Sequence, residues 1–325
     1  MSEFHVEVIE LGPIHPHPDA DTLAITYVHG GYPCIVKEGS FHEGDLAVYI
    51  PVDTTVPVND SRFAFLASKA DANGRARIKA LKLRGVFSMG LLIPPNQDWS
   101  LGSNVREILG VERYEPPLPP ASTGAEAETG PSLVPAYTDL AGLRKFKDIL
   151  RPDEPVVALE KIHGANGRFV FHDGRLYCGA RTWWVASGNN IWWKAAEAAD
   201  LATKLQQIPD IVIFGEVYGR VQDLRYGLKD GVQFVAFDAL DAKTGRYLDY
   251  PVFVGLCDRL ELPTVPKLFV GRYEHLDVEI AEGPSVLGDG ACIREGFVVR
   301  PLTERYDPHI GRVILKYPGE GYLLR

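Results

Sequence analysis

A lysine near the middle of the sequence follows an apolar run and precedes a polar turn. Residues 156–159 read VVAL and residues 160–166 read EKIHGAN, with Lys161 as the second residue of that segment. The apolar run predicts a buried strand, so we expect Lys161 to be held at a strand end. A lysine amine attacks an electrophile only when it is deprotonated, whereas a solvated lysine titrates at about 10.4. Desolvation or a neighbouring cation must therefore lower the pKa of a reactive Lys161.

Further charged and aromatic residues follow in short segments. These are Arg181-Thr182, FGEVYG at 214–219, FVAFD at 234–238, EGFVVRP at 295–301 and VILKY at 313–317. Glu216 and Glu295 are carboxylates beside glycine in otherwise apolar strands. Burying a carboxylate without a partner is costly, so we expect each to meet a hydroxyl, a cation or a metal. A structural ion pair is the alternative for either residue.

The order of these segments is similar to that of the covalent lysine nucleotidyltransferases, a resemblance that implies the transfer of AMP from ATP to a lysine. That reaction needs an unprotonated amine, positive charge at the α-phosphate, a purine pocket and metal ligands for the leaving pyrophosphate. Manganese or magnesium suits carboxylate oxygen ligands. The sequence offers a candidate for each need.

The composition narrows the function classes. The chain has 325 residues, 46% of them hydrophobic, and a formal net charge of −9, which predicts a soluble two-domain protein and argues against a generally cationic nucleic-acid binder. A nucleic-acid site would have to be local. The four cysteines form no CxxC pair, which favours a reducing cytoplasm over a zinc site or a disulfide framework. Neither a bilayer-spanning apolar run nor a signal peptide is recognisable.

Residues 4–111 read as short strands separated by turn residues, for example 4–9, 46–51 and 90–94, and predict a small β-barrel. HPHPDAD at 15–21 alternates histidines and carboxylates, but its prolines favour a rigid loop over a metal site. The basic residues of this half either bind nucleic acid or are solvated loop charges. They are Lys69, Arg75, Arg77, Lys79, Lys82 and Arg84.

Residues 112–136 are a linker by composition, because prolines followed by small residues cannot build a core. We expect one domain at 1–111 and another at 137–325. Leu140, Leu143, Phe146 and Ile149 predict a short helix that caps the second domain. A longer helix is predicted at 192–208, with strands at 175–180, 211–214, 233–240, 295–301 and 313–317. This mixture predicts an α+β fold.

The N-terminal part resembles the tRNA-binding OB domains that accompany aminoacyl-tRNA synthetases. The resemblance rests on HPxAD at 17–21 followed by LRGVxSxG at 83–90, although a barrel bend also explains the glycines of the second segment. It implies an OB-type β-barrel with a basic groove and stacking aromatics. We expect Lys79, Lys82 and Arg84 to contact the nucleic acid.

The second part is similar to the covalent lysine nucleotidyltransferases, which include polynucleotide ligases and mRNA capping enzymes. KxHG at 161–164 and the five segments after it, in this order, carry the resemblance. Histidine in place of the aspartate of DNA ligases resembles the RNA ligase 2 type, and an OB module ahead of the catalytic domain resembles the RNA ligase 5 branch. The resemblance implies an ATP-grasp-like adenylyltransferase domain of antiparallel sheets and helices.

The resemblance also implies how the charged residues act. Lys161 would form lysyl-AMP, and Lys316 beside it would lower its pKa and then contact the α-phosphate. Arg181 would contact the nucleotide or the 5′-phosphate end. Glu216 would accept from the ribose, and Glu295 would serve the divalent metal. A surface lysine at a strand end is the alternative for Lys316.

The remaining site residues surround the base and the turn. Phe237 and Val298 would sandwich the adenine between an aromatic and an aliphatic face. Glu160 and Asn166 complete the nucleotide site. His163 is expected only to lie near the phosphates or to stabilise the turn.

Two departures qualify the resemblance. The RNA ligase 2 pattern has a second basic residue two places after Lys316, where this chain has Pro318. The sequence ends at Arg325 without the C-terminal domain that often assists end joining, so we expect RNA engagement to fall to the OB module.

The sequence therefore predicts an ATP-dependent RNA ligase that seals 3′-OH and 5′-phosphate ends, with nicks in duplexes carrying a 3′-OH RNA strand as the expected substrate. We expect a cytoplasmic monomer that uses ATP and manganese or magnesium. The alternatives are a DNA ligase or capping guanylyltransferase, and a non-catalytic RNA-binding protein that senses damage.

Overall fold

Strands outnumber helices throughout the described part of the chain. The computed structural model describes residues 5–114 and 125–325. Contacts divide these residues into an N-terminal unit, residues 5–114 with Leu323–Arg325, and a second unit, residues 125–322. None of the helices in these ranges is long and apolar enough to cross a membrane. The predicted strand-rich α+β class is confirmed.

The described strands of the N-terminal unit are short and antiparallel. They are β1 (Glu7–Glu10), β2 (His15–Pro16), β3 (Leu23–Val28), β4 (Tyr32–Lys37), β5 (Leu46–Ile50), β6 (Thr54–Pro57), β7 (Arg75–Ile78), β8 (Leu81–Leu83), β9 (Val86–Ser88), β10 (Leu91–Ile93) and β11 (Glu112–Arg113). They form the sheets β1-β5-β10, β2-β3-β4 and β11-β6-β7 and the hairpin β8-β9. A 3-10 helix covers Ser61–Lys69. The predicted strands at 46–51 and 90–94 correspond to β5 and β10.

β5 is buried on both faces. Val48 and Ile50 point into one apolar cluster, whereas Ala47 and Tyr49 point into another. Side chains alternate between the faces of a strand, so a strand buried on both faces needs an uninterrupted apolar run. The run at residues 46–50 provides it.

Strand pairing reaches into both ends of the predicted linker 112–136. β11 pairs with β6 in the N-terminal unit. In the second unit, β12 (Ala127–Glu128) pairs with the strand at Trp184–Val185, and Val134 is buried in an apolar cluster. Residues 125–136 therefore contribute to a core, contrary to the composition argument. The boundaries at 111 and 136 stay a prediction, and the prolines at 116–120 lie outside the described residues.

The second unit contains two large sheets and short helices. Its further strands are β13 (Ala141–Gly142), β14 (Pro155–Glu160), β15 (Ala165–His172), β16 (Arg175–Gly179), β17 (Trp184–Val185), β18 (Ile211–Gly219), β19 (Val232–Asp241), β20 (Arg246–Tyr247), β21 (Lys267–Arg272), β22 (Gly296–Pro301), β23 (Tyr306–Asp307), β24 (Gly311–Arg312) and β25 (Leu315–Pro318). Its α-helices are α1 (Ile191–Ala198), α2 (Leu201–Leu205), α3 (Tyr250–Arg259) and α4 (Glu320–Leu323), and 3-10 turns cover Lys147–Ile149, Tyr273–His275 and Val278–Ala281.

The two sheets have the orders β12-β17-β16-β15-β18-β19-β20 and β13-β25-β22-β14-β21. One face of the seven-stranded sheet packs against α1, α2 and α3. Its other face contributes Val235 and Phe237 to a cluster that also contains Val157 and Leu159 of β14. The two sheets therefore face each other across this cluster. The alternate residues of β14 pack on the far side of the five-stranded sheet, so β14 is buried on both faces.

The prediction of one continuous helix at 192–208 is wrong. The structure has α1 and α2 instead, separated at Asp200, whose φ of 51° lies in the left-handed region. Aspartate tolerates this conformation better than most residues, and a left-handed residue ends an α-helix. The side chain of Asn190 caps the start of α1 by accepting from the Trp193 N–H.

The predicted helix over Leu140, Leu143, Phe146 and Ile149 is wrong. The segment forms β13, which pairs in parallel with β25, followed by a 3-10 turn. Backbone pairing with a distant strand outweighs the helical spacing, since the Leu143 N–H donates to the Lys316 carbonyl at 2.9 Å. The apolar side chains still pack on the core of the second unit, as expected of a capping segment.

Candidate active site

Lys161 lies where the sequence predicts it, directly after the end of β14. Its backbone N–H donates to the Gly296 carbonyl at 3.0 Å, which ties it to the start of β22. Ile162 is buried beside it. The following turn lies directly against β18, because a Cβ at Gly164 would overlap the Val217 carbonyl oxygen. Glycine is therefore required at this position.

The Lys161 ammonium is paired with a buried carboxylate. Lys161 Nζ donates to Glu295 Oε1 at 2.6 Å, and the two side chains are 25% and 8% exposed. Burial lowers the pKa of Lys161, but the charges of Glu295 and Glu216 outweigh that effect and raise it above its ordinary value. The sequence predicts the opposite direction, through repulsion by Lys316. The prediction misses the carboxylates that face Lys161 in the fold.

Glu216 is the second carboxylate near Lys161. It lies on β18 opposite Asn166 of β15, and the Gly164 N–H donates to it. Burial raises the pKa of Glu216 to about 8, although the charge of Lys161 acts in the opposite direction and that of Glu295 adds to the increase. A carboxyl with such a pKa exchanges a proton near neutral pH, which is typical of functional sites.

Two buried carboxylate oxygens in or next to the Lys161 site have no hydrogen-bond partner among the described residues. They are Glu295 Oε2 and Glu160 Oε1, while Glu160 Oε2 accepts from the Val286 N–H at 2.9 Å. Unpaired buried oxygens of this kind suit a cation or a ligand donor. No group of three metal-ligating side chains occurs within residues 5–114 and 125–325. Magnesium-type ions fit such a donor set, because they bind one or two carboxylates and fill their coordination with phosphates and water.

His163 connects three separate segments of the second unit. Its backbone N–H donates to the Tyr226 hydroxyl at 2.5 Å, and its Nε2 lies 2.9 Å from Asp223 Oδ1. The Tyr322 hydroxyl of α4 lies 3.0 Å from its Nδ1. Gln222 Nε2 adds a bond to the Gly164 carbonyl at 2.5 Å. The loop between β18 and β19 is therefore fastened to the turn that follows Lys161.

The remaining residues that the sequence predicts for a nucleotide site lie on the facing surfaces of the two sheets. Asn166, Glu216 and Phe237 come from adjacent strands of the seven-stranded sheet. Side-chain alternation places all three on the face opposite α1, because their neighbours Gly167, Val217 and Ala236 are turned toward the helix-covered side. Asn166 Oδ1 has no hydrogen-bond partner among the described residues.

The five-stranded sheet supplies the opposite wall. Val298 pairs with Leu159 on one side and with Lys316 on the other, and directly paired residues share a face. Val298 is half-buried and Lys316 is exposed. Phe237 and Val298 thus come one from each sheet, as expected of two sides of a base pocket. Their role in holding a base stays a prediction.

A β-bulge sets the position of Phe237. The register of β18 and β19 shifts between Phe214 and Gly215, so that Phe237 is the extra residue of β19. Phe237 and Asp238 therefore both lie on the face opposite the helices. Phe234 packs on the other face, 5.0 Å from Phe169 between ring centroids, and is a core residue.

Arg181 is held by a short segment at residues 137–139. Its Nη2 donates to the Asp139 carboxylate and to the Thr138 carbonyl, and its Nε donates to the Tyr137 carbonyl at 3.5 Å. The positive charge of Arg181 lowers the pKa of Lys161 and the pKa of Glu216. Arg181 therefore lies close to both residues, where the sequence predicts that phosphates bind. No described residue accepts from its Nη1, so one edge of the guanidinium remains available to an anion.

A buried ionic network behind Phe237 is a feature that sequence reasoning missed. Asp238, fully buried, accepts from Arg300 Nη1 at 2.8 Å, from Arg312 Nη1 at 2.5 Å and from the Tyr137 hydroxyl at 2.9 Å. Glu304 accepts from both arginines. The tyrosine ring lies 5.0 Å from Phe237 between centroids. The only sequence signal is the presence of Asp238 and Arg300 in otherwise apolar strand segments.

The basic residues of the N-terminal unit divide into two groups. Arg75 and Arg77 form hydrogen bonds within the unit. Lys79, Lys82 and Arg84, which the sequence assigns to nucleic acid, are exposed. They belong to a different unit from Lys161, and their role stays a prediction.

Two family models match the sequence. A model described as RNA ligase matches residues 154–318, which contain Lys161 and all the carboxylates around it. A model described as an OB-fold domain matches residues 6–95. A search of curated protein sequences gave no significant match.

Solved structures match over nearly the whole chain. The structure of a Naegleria gruberi RNA ligase mutant with ATP and Mn has a TM-score of 0.86 at 23% identity and covers 98% of both chains. The same ligase with pyrophosphate has a TM-score of 0.84 at 24% identity, covering 99% of this chain and 98% of that one. A lysine-to-methionine mutant with AMP and Mn has a TM-score of 0.84 at 24% identity, covering 98% and 97%.

At these identities the structural likeness establishes the fold, an OB-fold domain followed by a ligase domain, and not the ligands. The family model covers half of the sequence and every strand that surrounds Lys161. The chain belongs to the RNA ligase family.

Proposed function

We propose that the protein is an ATP-dependent RNA ligase that joins 3′-OH and 5′-phosphate ends through a lysyl-AMP intermediate. The observation that carries the proposal is the environment of Lys161, which lies at a buried strand end within the residues that match the family model. Its Nζ lies 2.6 Å from Glu295 Oε1, and the negative charge of Glu216 also acts on its ammonium group. The matched ligase structures with ATP, AMP and pyrophosphate are consistent with the same nucleotide chemistry.

The first step forms a bond between the Lys161 nitrogen and the α-phosphorus of ATP. The P–O bond to the leaving group breaks, and pyrophosphate departs with that electron pair. The ammonium must lose a proton beforehand. Glu295 Oε1 is the acceptor already in hydrogen-bond contact, and it lies at the required distance.

The second and third steps use the nucleic-acid ends. An oxygen of the 5′-phosphate attacks the phosphorus of lysyl-AMP, the P–N bond breaks, and Lys161 recovers its amine. The 3′-hydroxyl then attacks the 5′-phosphorus, a phosphodiester bond forms, and AMP leaves. Arg181, with its Nη1 edge available, and Lys316 are the cations that we assign to the phosphates.

The two sheets supply the nucleotide pocket. We assign Phe237 and Val298 to the faces of the adenine and Glu216 to the ribose hydroxyls, because all three line the space between the sheets. The unpaired oxygens of Glu160 and Asn166 are available to donors on the nucleotide.

Glu295, whose Oε2 accepts no hydrogen bond from a described residue and lies 3.8 Å from His163 Nδ1, is the residue that would hold a manganese or magnesium ion. Such an ion, held there, would neutralise the charge that develops on the phosphates.

We assign RNA engagement to the N-terminal unit, through Lys79, Lys82 and Arg84, because these cations are exposed. The expected substrate is a duplex nick with an RNA strand at its 3′-OH side.

The proposal is tested with labelled nucleotides and matched nicks. The protein with manganese and α-labelled ATP should acquire acid-labile label, and α-labelled GTP should give none. Sealing of a nick with RNA at the 3′-OH side should exceed sealing of the all-DNA nick. Label from GTP alone would instead indicate a capping-type guanylyltransferase, and the absence of label from either nucleotide would indicate a non-catalytic protein.

His163→Ala should slow the labelling of the chain by about 100-fold, because a small misplacement of reacting groups has effects of this size. Its loss removes the contacts to Asp223 and Tyr322 that fix the turn after Lys161. Tyr322→Phe keeps the ring and deletes the hydroxyl that contacts His163 Nδ1, and it should slow labelling by less than about tenfold. Single-turnover labelling rates measure both effects. Equal rates for His163→Ala and the unmodified protein would contradict this role.

A further inference from the structure

The two sequence segments that resemble tRNA-binding OB domains meet through one buried histidine. His17 is 6% exposed, and its Nδ1 lies 3.1 Å from the Asp19 N–H. Because a backbone N–H can only donate, Nδ1 is the acceptor and Nε2 carries the proton. The Nε2 proton is then donated to the Leu83 carbonyl at 3.1 Å. The loop at 17–19 is thereby attached to the β8-β9 hairpin.

The hairpin turn has an unfavourable backbone conformation. Arg84 and Gly85 have φ values of 46° and 88°, and a residue with a Cβ such as Arg84 rarely adopts this left-handed conformation. Asp19 Oδ2 would lie 3.9 Å from a Cβ at Gly85, which shows that the loop packs against the turn. The bond from His17 to Leu83 acts on the residue directly before the turn.

The base of the hairpin has its own attachments. The Met89 N–H donates to the Pro33 carbonyl at 2.6 Å, and the Ile35 N–H donates to Ser88 Oγ at 3.0 Å. Cys34 Sγ donates to the Met89 carbonyl at 2.9 Å. These bonds join β9 to β4 and do not involve His17. Loss of the His17 bond should therefore release the turn and leave the base in place.

The hairpin turn, which loss of the His17 bond should release, carries two exposed cations. Lys82 and Arg84 are exposed on either side of Leu83. We propose that His17 is a positioning residue for nucleic-acid binding, holding the hairpin turn so that Lys82 and Arg84 meet the phosphate backbone together. The proposal rests on the RNA-binding role assigned above to these cations. It adds a residue that touches no nucleic acid itself.

Two substitutions separate the functions of the imidazole. The amide of His17→Gln can reproduce the Nε2–H donor to Leu83, whereas His17→Asn reproduces only the acceptor for Asp19. We expect His17→Asn to weaken binding of a nicked RNA-containing duplex by about 5- to 10-fold and to reduce its salt slope by about 1. His17→Gln should bind within about twofold of the unmodified protein. His15→Asn, at an exposed histidine two residues away, is the matched control and should bind normally.

A double-mutant cycle tests the mechanism independently of stability. In the Lys82→Ala/Arg84→Ala background, His17→Asn should have no further effect on the dissociation constant, because it acts through those two cations. An equal loss in both backgrounds, or equal binding by His17→Asn and the unmodified protein, would overturn the proposal. Labelling by α-labelled ATP should be unchanged in His17→Asn. Absence of label from the unmodified protein would refute the ligase activity, and the binding cycle would still decide the role of His17.

Discussion

Lys161→Ala and Lys161→Arg should both reduce label transfer from α-labelled ATP by more than about 1,000-fold, as expected for loss of a nucleophile. The arginine variant is informative because it retains a cation beside Glu295. In the unmodified protein Lys161 Nζ lies 2.6 Å from Glu295 Oε1. A guanidinium is not deprotonated in a protein and cannot form the P–N bond. Loss of label transfer in both variants would therefore show that the reaction requires the nucleophilic amine of Lys161 and not only its positive charge.

The matched control is Lys194→Ala, which removes an exposed lysine from α1 of the same unit. It should label at the rate of the unmodified protein. The label should be released by acid and retained in alkali, as expected of a phosphoramidate. Undiminished labelling of Lys161→Arg would contradict a covalent role for this lysine.

Asp238→Ala should lower the free energy of unfolding of the second unit by about 3–5 kcal/mol and its Tm by roughly 10 °C. Asp238 is fully buried and accepts from Arg300 and Arg312, which are themselves almost fully buried. Removing the carboxylate leaves two guanidinium groups with Glu304 as their remaining anionic partner. An uncompensated buried charge is among the largest single-residue penalties in proteins.

Fluorescence-detected denaturation suits this measurement, because four of the five tryptophans lie in the second unit, at residues 183, 184, 192 and 193. Tyr137→Phe, which removes one hydrogen bond to Asp238, should cost only about 1 kcal/mol. Asp258→Ala, at an exposed position of α3, should leave the transition unchanged. If Asp238→Ala unfolded at the same denaturant concentration as the unmodified protein, the ionic network would not stabilise the unit.

The pH dependence of this contribution has a definite sign. Burial raises the pKa of Asp238, but the charges of Arg300 and Arg312 outweigh burial and hold it below the ordinary value of 3.8. A carboxyl with a lowered pKa stabilises the fold fully above its unfolded pKa and loses that effect as the pH falls through the folded pKa. The stability difference between the unmodified protein and Asp238→Ala should therefore be constant above about pH 5 and shrink progressively below it.

Sequence reasoning succeeds where a residue's neighbours in the chain determine its position. The apolar runs of β5 and β14 predict strands, which the structure buries on both faces, and Lys161 lies at a strand end because the run before it is a strand. The order of the motif segments also predicts the family. These features depend on local periodicity, which the sequence shows directly.

Long-range contacts account for most of what the sequence does not predict. The ring of His163 contacts Asp223 and Tyr322, which are 60 and 159 residues away in the chain. The apolar residues at 140–149 have helical spacing, but the segment pairs with β25 instead of forming a helix. The direction of the Lys161 pKa depends on Glu295, 134 residues away, whose proximity no local pattern shows. Each outcome is decided by a partner that only the folded chain supplies.

The bulge in β19 has a consequence for how this strand can vary. Because one extra residue is accommodated at Phe237, an aromatic ring and a buried carboxylate follow each other on the same face. Deletion of a single residue here would restore strict alternation and turn either the ring or the carboxylate toward the helix-covered core. Insertions and deletions at this point should therefore be far less tolerated than substitutions, so the length of β19 is itself constrained by both the proposed nucleotide pocket and the ionic network.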